Sequence, residues 1–281
     1  MCITFFYINP RASKNEYRLI IVANRDEFYN RKSIPAHFWE EDNSIVGGRD
    51  LESPSQGTWL AASKKGKIGI LLNIDIRIPK SEAISRGVLV SDFLKEDSNA
   101  REFCQNLISK QRQFNGFHLL LFDLNSNDIS AFVQTNSKKD ISKVEELEKG
   151  YHGFSNSPES PYKKVISGKT KFEGVVNQYN SIDQRDVLLN ELLAVLKSEE
   201  KHYPDDVLFE TKKLVMDEQY IEKLGSVFVR IPEKSYGTRT HTIILVTQEN
   251  EIDFNEFTMK EPIDLNNVEW IHSYFLVKST T

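Results

Sequence analysis

Cys2 carries the most specific chemistry in this 281-residue sequence. It stands directly before an apolar, strand-like run, Ile3-Thr4-Phe5-Phe6. Removal of the initiator methionine, usual before a residue as small as cysteine, would leave a thiol and a free α-amine on one residue. An α-amine with a pKa of about 8 can take up a proton near neutral pH. A thiol with a pKa of about 8.5 is pulled lower by a nearby cation. One residue would then supply both nucleophile and base. The plain alternative is a chain that begins Met-Cys without consequence.

The second reactive cluster is Asn24-Arg25-Asp26-Glu27, which follows the apolar run Tyr17–Ala23. If the two runs pair as neighbouring strands, the cluster returns to the start of the chain, and Cys2 sits beside a guanidinium and carboxylates. Read plainly, the same four residues are a solvated turn with local side-chain-to-backbone bonds. Two asparagines extend the set. Asn73 ends the apolar run Ile68–Leu72, and Asn156 lies in Phe154-Ser155-Asn156-Ser157-Pro158, where its amide could donate to a developing oxyanion or only make a turn before a helix. Arg239, in Tyr236-Gly237-Thr238-Arg239-Thr240, is either a last cation near the site or a surface salt-bridge partner. The six histidines are scattered and no Cys-x-x-Cys-His occurs, so the sequence carries no haem-attachment signature, and no metal site is expected.

Composition excludes several classes. A hydrophobic fraction of 39% and a charged fraction of 27% are ordinary for a globular chain. A net charge of −5 with interspersed signs announces no basic face for nucleic acid. No stretch reaches the ~18 apolar residues of a membrane helix, and no basic region precedes the first apolar run as in a secretory signal. Arg11, Lys14 and Arg18 would suit a mitochondrial presequence, but its cleavage would discard Cys2. The expectation is a cytoplasmic chain, its oligomeric state open. Two cysteines cannot build a disulfide scaffold. Cys104 shares a helical face with Phe103, Leu107 and Ile108 and reads as a packed core thiol.

The elements that must position these residues follow from periodicity. Arg31–Asp50 reads as irregular, with Phe38-Trp39 covering a core edge. Gly57–Ser63 and Ile68–Asn73 form a hairpin through Lys64–Lys67, the second strand apolar on both faces and hence covered by helices. Helices follow over Arg86–Glu96 and after Ser98, read as an N-cap. Phe117–Asp123 and Ile129–Val133 make a second hairpin around Asn125–Asp128, with His118 a hydrogen-bonded core residue. Ser137–Lys149 reads as a solvated connection. Leu188, Leu192, Val195 and Leu196 form the core stripe of a helix with a capping-box-like start at Asp183. Ser198–Gly225 is a polar excursion. Ser226–Ile231 and Thr240–Val246 pair around Pro232–Gly237, the threonines at 238, 240 and 242 facing one way, Arg239 and His241 the other. Phe254–Phe257 and Trp270–Val277 close the fold. Strand runs and helix runs are segregated, an α+β pattern of two packed sheets with helices outside, over one domain, 1–281.

Cys2–Phe6 and Ala23-Asn24-Arg25-Asp26-Glu27-Phe28-Tyr29-Asn30-Arg31 closely resemble the NRDE-motif family, also called the transport and Golgi organisation family. Gly57–Leu60, Asn115–Phe117, Gly153–Asn156 and Tyr236–Thr240 match it in order, so the resemblance spans the chain. That family looks similar to N-terminal-nucleophile hydrolases, which implies an αββα sandwich of mainly antiparallel sheets, most like the bile salt hydrolase and penicillin V acylase group. Carried over by motif, Cys2 would be nucleophile and base, Arg25 would depress the thiol pKa, and Asp26 would orient the amine. Asn73 and Asn156 would be oxyanion donors, with Asn24, Glu27 and Arg239 as ligand-binding residues. The acylases space their arginine and aspartate apart, whereas Arg25 and Asp26 are adjacent, so either Asp26 or Glu27 takes the inward role. The resemblance also implies haem trafficking and lipid or acyl-thioester homeostasis. The first expectation is a haem carrier or chaperone, or a handler of acyl-CoA or lipid, with no cofactor required and haem as cargo. The alternatives are a cysteine amidohydrolase or thioesterase, and a trafficking adaptor.

Overall fold

β1 (Ile3–Ile8) runs antiparallel to β2 (Leu19–Phe28), with Ile3 opposite Asn24, so the polar cluster does return to the N-terminus. The computed structural model describes residues 1–74, 82–124, 128–137, 143–157 and 159–278. The turn expected at Asn125–Asp128 lies largely outside the described residues, as does Pro158. The other strands are β3 (Ser33–Phe38), β4 (Ile45–Asp50), β5 (Leu60–Ser63), β6 (Lys67–Asn73), β7 (Phe117–Leu124), β8 (Ile129–Thr135), β9 (Glu145–Glu146), β10 (Gly150–Phe154), β11 (Arg230–Ile231), β12 (Tyr236–Val246), β13 (Glu251–Met259) and β14 (Trp270–Lys278). The helices are α1 (Val88–Lys95), α2 (Ala100–Leu107), α3 (Lys163–Tyr179), α4 (Arg185–Leu196), α5 (Asp206–Lys212) and α6 (Glu218–Lys223).

Two seven-stranded sheets result, one in the order β10-β1-β2-β12-β13-β14 with β11 on β12, the other running β3 to β9 in sequence. Side chains alternate across each strand, and the central strands of both sheets are covered on both faces, whereas much of the edge strand β14 is exposed. Phe6, Ile21, Ile244 and Phe254 of the first sheet meet Val46, Ile70, Leu120 and Phe122 of the second in a shared core. Ile3, Phe5, Ile20, Val22 and Ile243 point outward beneath α3 to α6, packed with Val165, Phe172, Leu188 and Leu192. Leu71, Leu119 and Leu121 lie under α1 and α2 with Phe93, Phe103 and Cys104. The layering is helix, sheet, sheet, helix: the expected αββα sandwich.

Four local readings are corrected. The polar cluster is no turn: β12 pairs with β2 from Val246↔Leu19 to Tyr236↔Phe28, and that ladder satisfies the backbone of residues 24–27 as strand. Arg31–Asp50 contains β3 and β4, despite Pro35, Gly47 and Gly48. The N-cap of α2 is Asn99, whose side chain accepts from Glu102 N in a capping box, and α4 begins after a 3-10 turn at Ile182–Gln184. The threonines of β12 do not alternate cleanly with Arg239 and His241. A bulge between Thr238 and Thr240 leaves Arg239 as the extra residue and re-aims it, and all five side chains are buried.

Candidate active site

Cys2, Arg25, Asp26, Glu27 and Asn73 line one cavity of about 180 Å³, together with Arg31, Asp50, Trp59, Arg86 and Asn115. It lies at the start of β1 and the ends of β2 and β6. β2 supplies four consecutive residues whose side chains take alternate faces. Arg25 and Glu27 reach the cavity from between the sheets, while Asn24 and Asp26 turn toward the helical layer.

Cys2 Sγ lies 3.8 Å from the Asp26 carbonyl oxygen. The Met1 ammonium donates to the Tyr236 hydroxyl and stands 3.5 Å from Asp26 Oδ2. Asp26 Oδ1 accepts from Thr238 Oγ1 at 2.6 Å, which fixes the carboxylate. Burial lowers the pKa of the amine, and Asp26 opposes that shift. Burial also pushes the Cys2 thiol up; the positive terminus pulls it down more than Arg25 does. The expected depression by Arg25 is therefore outweighed. Desolvation disfavours a thiolate more than one guanidinium favours it.

Arg25 is only 5% exposed and lies over the Trp59 ring, 4.2 Å from its centroid. Its Nη2 is 4.0 Å from Glu27, and its Nη1 has no hydrogen-bond partner among the described residues. A buried N–H without a partner at a cavity wall is a donor awaiting an acceptor. Arg31 grips Asp50 through two bonds, Nε at 3.1 Å and Nη2 at 2.7 Å. Arg86 donates to the Gly116 carbonyl at 2.8 Å.

Asn156 stands behind the cavity. Its amide donates to the Asn73 carbonyl, while Ser155 Oγ donates to the Cys2 carbonyl at 2.7 Å. The pair Asn73–Asn156 is thus brought to Cys2, with one Asn156 N–H already used by backbone. Asn24 is not in the cavity. It donates to Leu196 O at 2.8 Å and Val227 O at 3.0 Å and meets His241 Nδ1 at 2.6 Å, fastening α4 and the segment before β11 to the sheet. Arg239 is also elsewhere. Fully buried, it donates to the carbonyls of Phe28 at 2.9 Å and Arg31 and pairs with Glu261, a scaffold for the loop leaving β2.

Sequence reasoning missed Arg31, Arg86, Trp59 and Asn115 as cavity residues. Arg86 reads as the start of a helix, and nothing local announces where that helix begins in space. The contact that places it is glycine on glycine: a Cβ at Gly57 would lie 2.6 Å from Gly87 Cα, and Thr58 N donates to Gly87 O at 3.2 Å. Trp59 and Asn115 do lie in segments that carried the family resemblance. Among the described residues no group of three or more His, Cys, Asp or Glu is arranged to hold a metal ion.

Two facing antiparallel sheets lie between helical layers, an αββα sandwich with a cysteine next to the N-terminus at the edge of the shared core. The chain belongs to the Transport and Golgi organisation 2 family, whose model matches residues 1–261. It is 37% identical over 273 residues to the Transport and Golgi organization 2 homolog of Mus musculus, covering 96% of each chain. The Homo sapiens homolog is 37% identical over 274 residues, again 96% of each. The Drosophila melanogaster protein is 32% identical over 268 residues, 92% of each. Among solved structures, a Caenorhabditis elegans N-acylethanolamine-hydrolyzing acid amidase ortholog gives a TM-score of 0.47 at 9% identity, covering 88% of this chain and 93% of that one. A mutant conjugated bile acid hydrolase from Clostridium perfringens gives 0.47 at 10%, covering 100% and 99%.

Proposed function

We propose that the chain is an amide or thioester hydrolase whose nucleophile is Cys2, active once Met1 has been cleaved. The observation that carries this is a thiol one residue from the N-terminus that lines the Arg25 cavity, with the Asp26 carboxylate 3.5 Å from the Met1 nitrogen that cleavage removes. After cleavage the α-amine belongs to Cys2 and takes the thiol proton as sulfur attacks the substrate carbonyl. The oxyanion meets the side-chain amide of Asn73 and the unpaired N–H of Arg25, while Asn156 holds the Asn73 carbonyl from behind. Collapse expels the amine or thiol leaving group with that proton. Water then cleaves the acyl–sulfur bond and releases the acid. A cavity of about 180 Å³ suits the reacting group and its neighbours. It is below the ~300–1,000 Å³ of sites that enclose a whole drug-sized ligand, which argues against its holding a porphyrin.

The test is intact mass followed by acylation. Protein that begins at Cys2 should gain one acyl mass from an aryl thioester, and Cys2→Ala and Arg25→Met should abolish or slow that gain. Absence of any acylation of the Cys2-initiating protein would sink the reading.

One observation favours the carrier as a second reading. With Met1 in place, burial pushes the thiol toward its protonated form, and the amine belongs to Met1, held by Tyr236 and Asp26, rather than to the nucleophile. The Met1-retaining form would then bind haem or an acyl ligand without turning it over. A saturable Soret band of fixed stoichiometry, lost in Cys2→Ala, is the expected sign. An adaptor without a small-molecule site predicts instead that changes at Cys2, Arg25 and Asn156 leave function intact.

A further inference from the structure

Two open sheets have four outer strands, here β10 and β14 in one and β3 and β9 in the other. Three of the four are poor templates for further pairing. β9 is two residues long. β3 carries Pro35, and its register with β4 breaks between Ile34 and His37. Its Ser33 and Ala36 amides are already taken by Glu261 at 3.0 Å and Glu256 at 2.6 Å. β10 has five residues, two of them glycine, with Gly150 at a φ of +117°. Shortness, proline, broken register and side-chain cover are the devices that keep a sheet edge from joining another sheet.

β14 has none of them. Its nine residues pair with β13 without a break from Met259↔Trp270 to Glu251↔Lys278, and they include neither proline nor glycine. An antiparallel neighbour takes up only about half of a strand's N–H and C=O groups. The rest of β14's point outward, and no other strand among the described residues meets them. The side chains are equally unprotected. Ile271, Tyr274 and Leu276 are 38%, 49% and 46% exposed, and no other strand among the described residues carries more than one large apolar side chain so exposed.

We infer that the outer edge of β14 is an interface that takes β14 of a second copy of this chain, antiparallel about Tyr274, joining the two first sheets into one. The ends of the strand favour the second copy in this direction. Its cation, Lys278, stands at one end and is held only by Glu251 at 3.7 Å, with its side chain 80% exposed. Trp270 opens the other end, directly after Glu269. Antiparallel pairing centred on Tyr274 sets each lysine opposite the other copy's Trp270 and next to its Glu269, a cation against an aromatic ring and a carboxylate. Parallel pairing would set lysine beside lysine. The same register puts Val277 opposite Ile271 and Leu276 opposite His272, and it makes the contact self-complementary, as a two-fold dimer requires. β14 supplies no residue to the cavity at Cys2, so failure here leaves the hydrolase proposal standing.

The experiment is sedimentation equilibrium of the full chain, followed by cysteine cross-linking. Wild type should show a concentration-dependent mass rising to twice that of one chain. Tyr274→Lys places two like charges opposite each other at the centre of the contact and should weaken the dimer by at least about tenfold. Under mild oxidation Tyr274→Cys should form an intermolecular disulfide, because directly opposed residues lie about 4.5–5.5 Å apart between Cα atoms, within the ~4.4–6.8 Å that a disulfide spans. Leu276→Cys should not, since its two copies would be on the order of 14 Å apart. Wild type, with Cys2 and Cys104 in place, is the control for both. A chain still monomeric at about 0.1 mM, a dimer unchanged by Tyr274→Lys, or cross-linking of Leu276→Cys as readily as Tyr274→Cys would each overturn the proposal. Capture of an added extended peptide without self-association would also overturn it and make the edge a peptide-recognition site.

Discussion

Glu256 on β13 offers the sharpest test of the packing around the site. Its Oε1 accepts from Ala36 N at 2.6 Å and from Thr258 Oγ1 at 3.1 Å, while Oε2 has no hydrogen-bond partner among the described residues. Burial raises its pKa from 4.5 to about 7, with the Ala36 and Thr258 bonds and the Arg25 charge opposing. Between those values the folded chain holds a proton that the unfolded chain has released, so stability falls as pH rises. The contribution is fully present below pH 4.5 and is lost once pH passes about 7. At about 1.4 kcal/mol per pH unit, the gap corresponds to roughly 3 kcal/mol in all, of which about 2.5 kcal/mol falls between about pH 5 and pH 8.5. Glu256→Gln keeps an acceptor for Ala36 and removes the titration. Urea unfolding of both proteins should show the variant gaining on wild type by about 2 to 3 kcal/mol across that interval. Comparing the two chains cancels the other titrating groups. A difference independent of pH would refute the reasoning.

Other expectations follow from the same geometry. Cys104 is fully buried and burial pushes its thiol up to about 12, so a thiol reagent should titrate at most Cys2 in the native chain and both cysteines after denaturation. Arg239→Met strips donors from the Phe28 and Arg31 carbonyls and leaves Glu261 without its partner, and should cost on the order of 3 kcal/mol in guanidinium unfolding. Asn24→Ala should cost about 2 to 4 kcal/mol by leaving Leu196 O, Val227 O and His241 unmet. Acylation at Cys2 should persist in that variant below its unfolding midpoint. Arg25→Met should do the reverse, suppressing acylation with a smaller loss of stability.

The layers were legible because apolar runs of strand length are segregated from runs of amphipathic helices, and pairing of the first two runs follows from their sequence proximity. β3 and β4 were hidden by their breakers. Gly47 and Gly48 are there for close approach, since a Cβ on Gly47 would meet Ala61 Cβ at 2.5 Å, and the same glycines read locally as loop. Arg239 could not be placed because one bulged residue breaks the period-2 rule on which inside and outside depend. The balance at Cys2 was invisible for a different reason: sequence reveals the neighbouring cation but not the depth of burial, and burial sets the direction of the thiol's shift.

The Asn-Arg-Asp-Glu cluster makes sense once it is seen as strand. Two consecutive strand residues cannot face the same layer, so a run of four polar residues necessarily splits its chemistry. Arg25 and Glu27 go to the cavity between the sheets, the first over Trp59 and the second 3.6 Å from Arg31. Asn24 and Asp26 go to the helical side, where one fastens α4 and the other holds the terminal ammonium. The adjacency of Arg25 and Asp26 is therefore no obstacle to their acting on one residue. Cys2 directly precedes the neighbouring strand and lines the cavity on the first face, while Asp26 stands 3.5 Å from the nitrogen of the residue before it. A single strand segment can then address both functional groups of the same terminal cysteine from opposite sides.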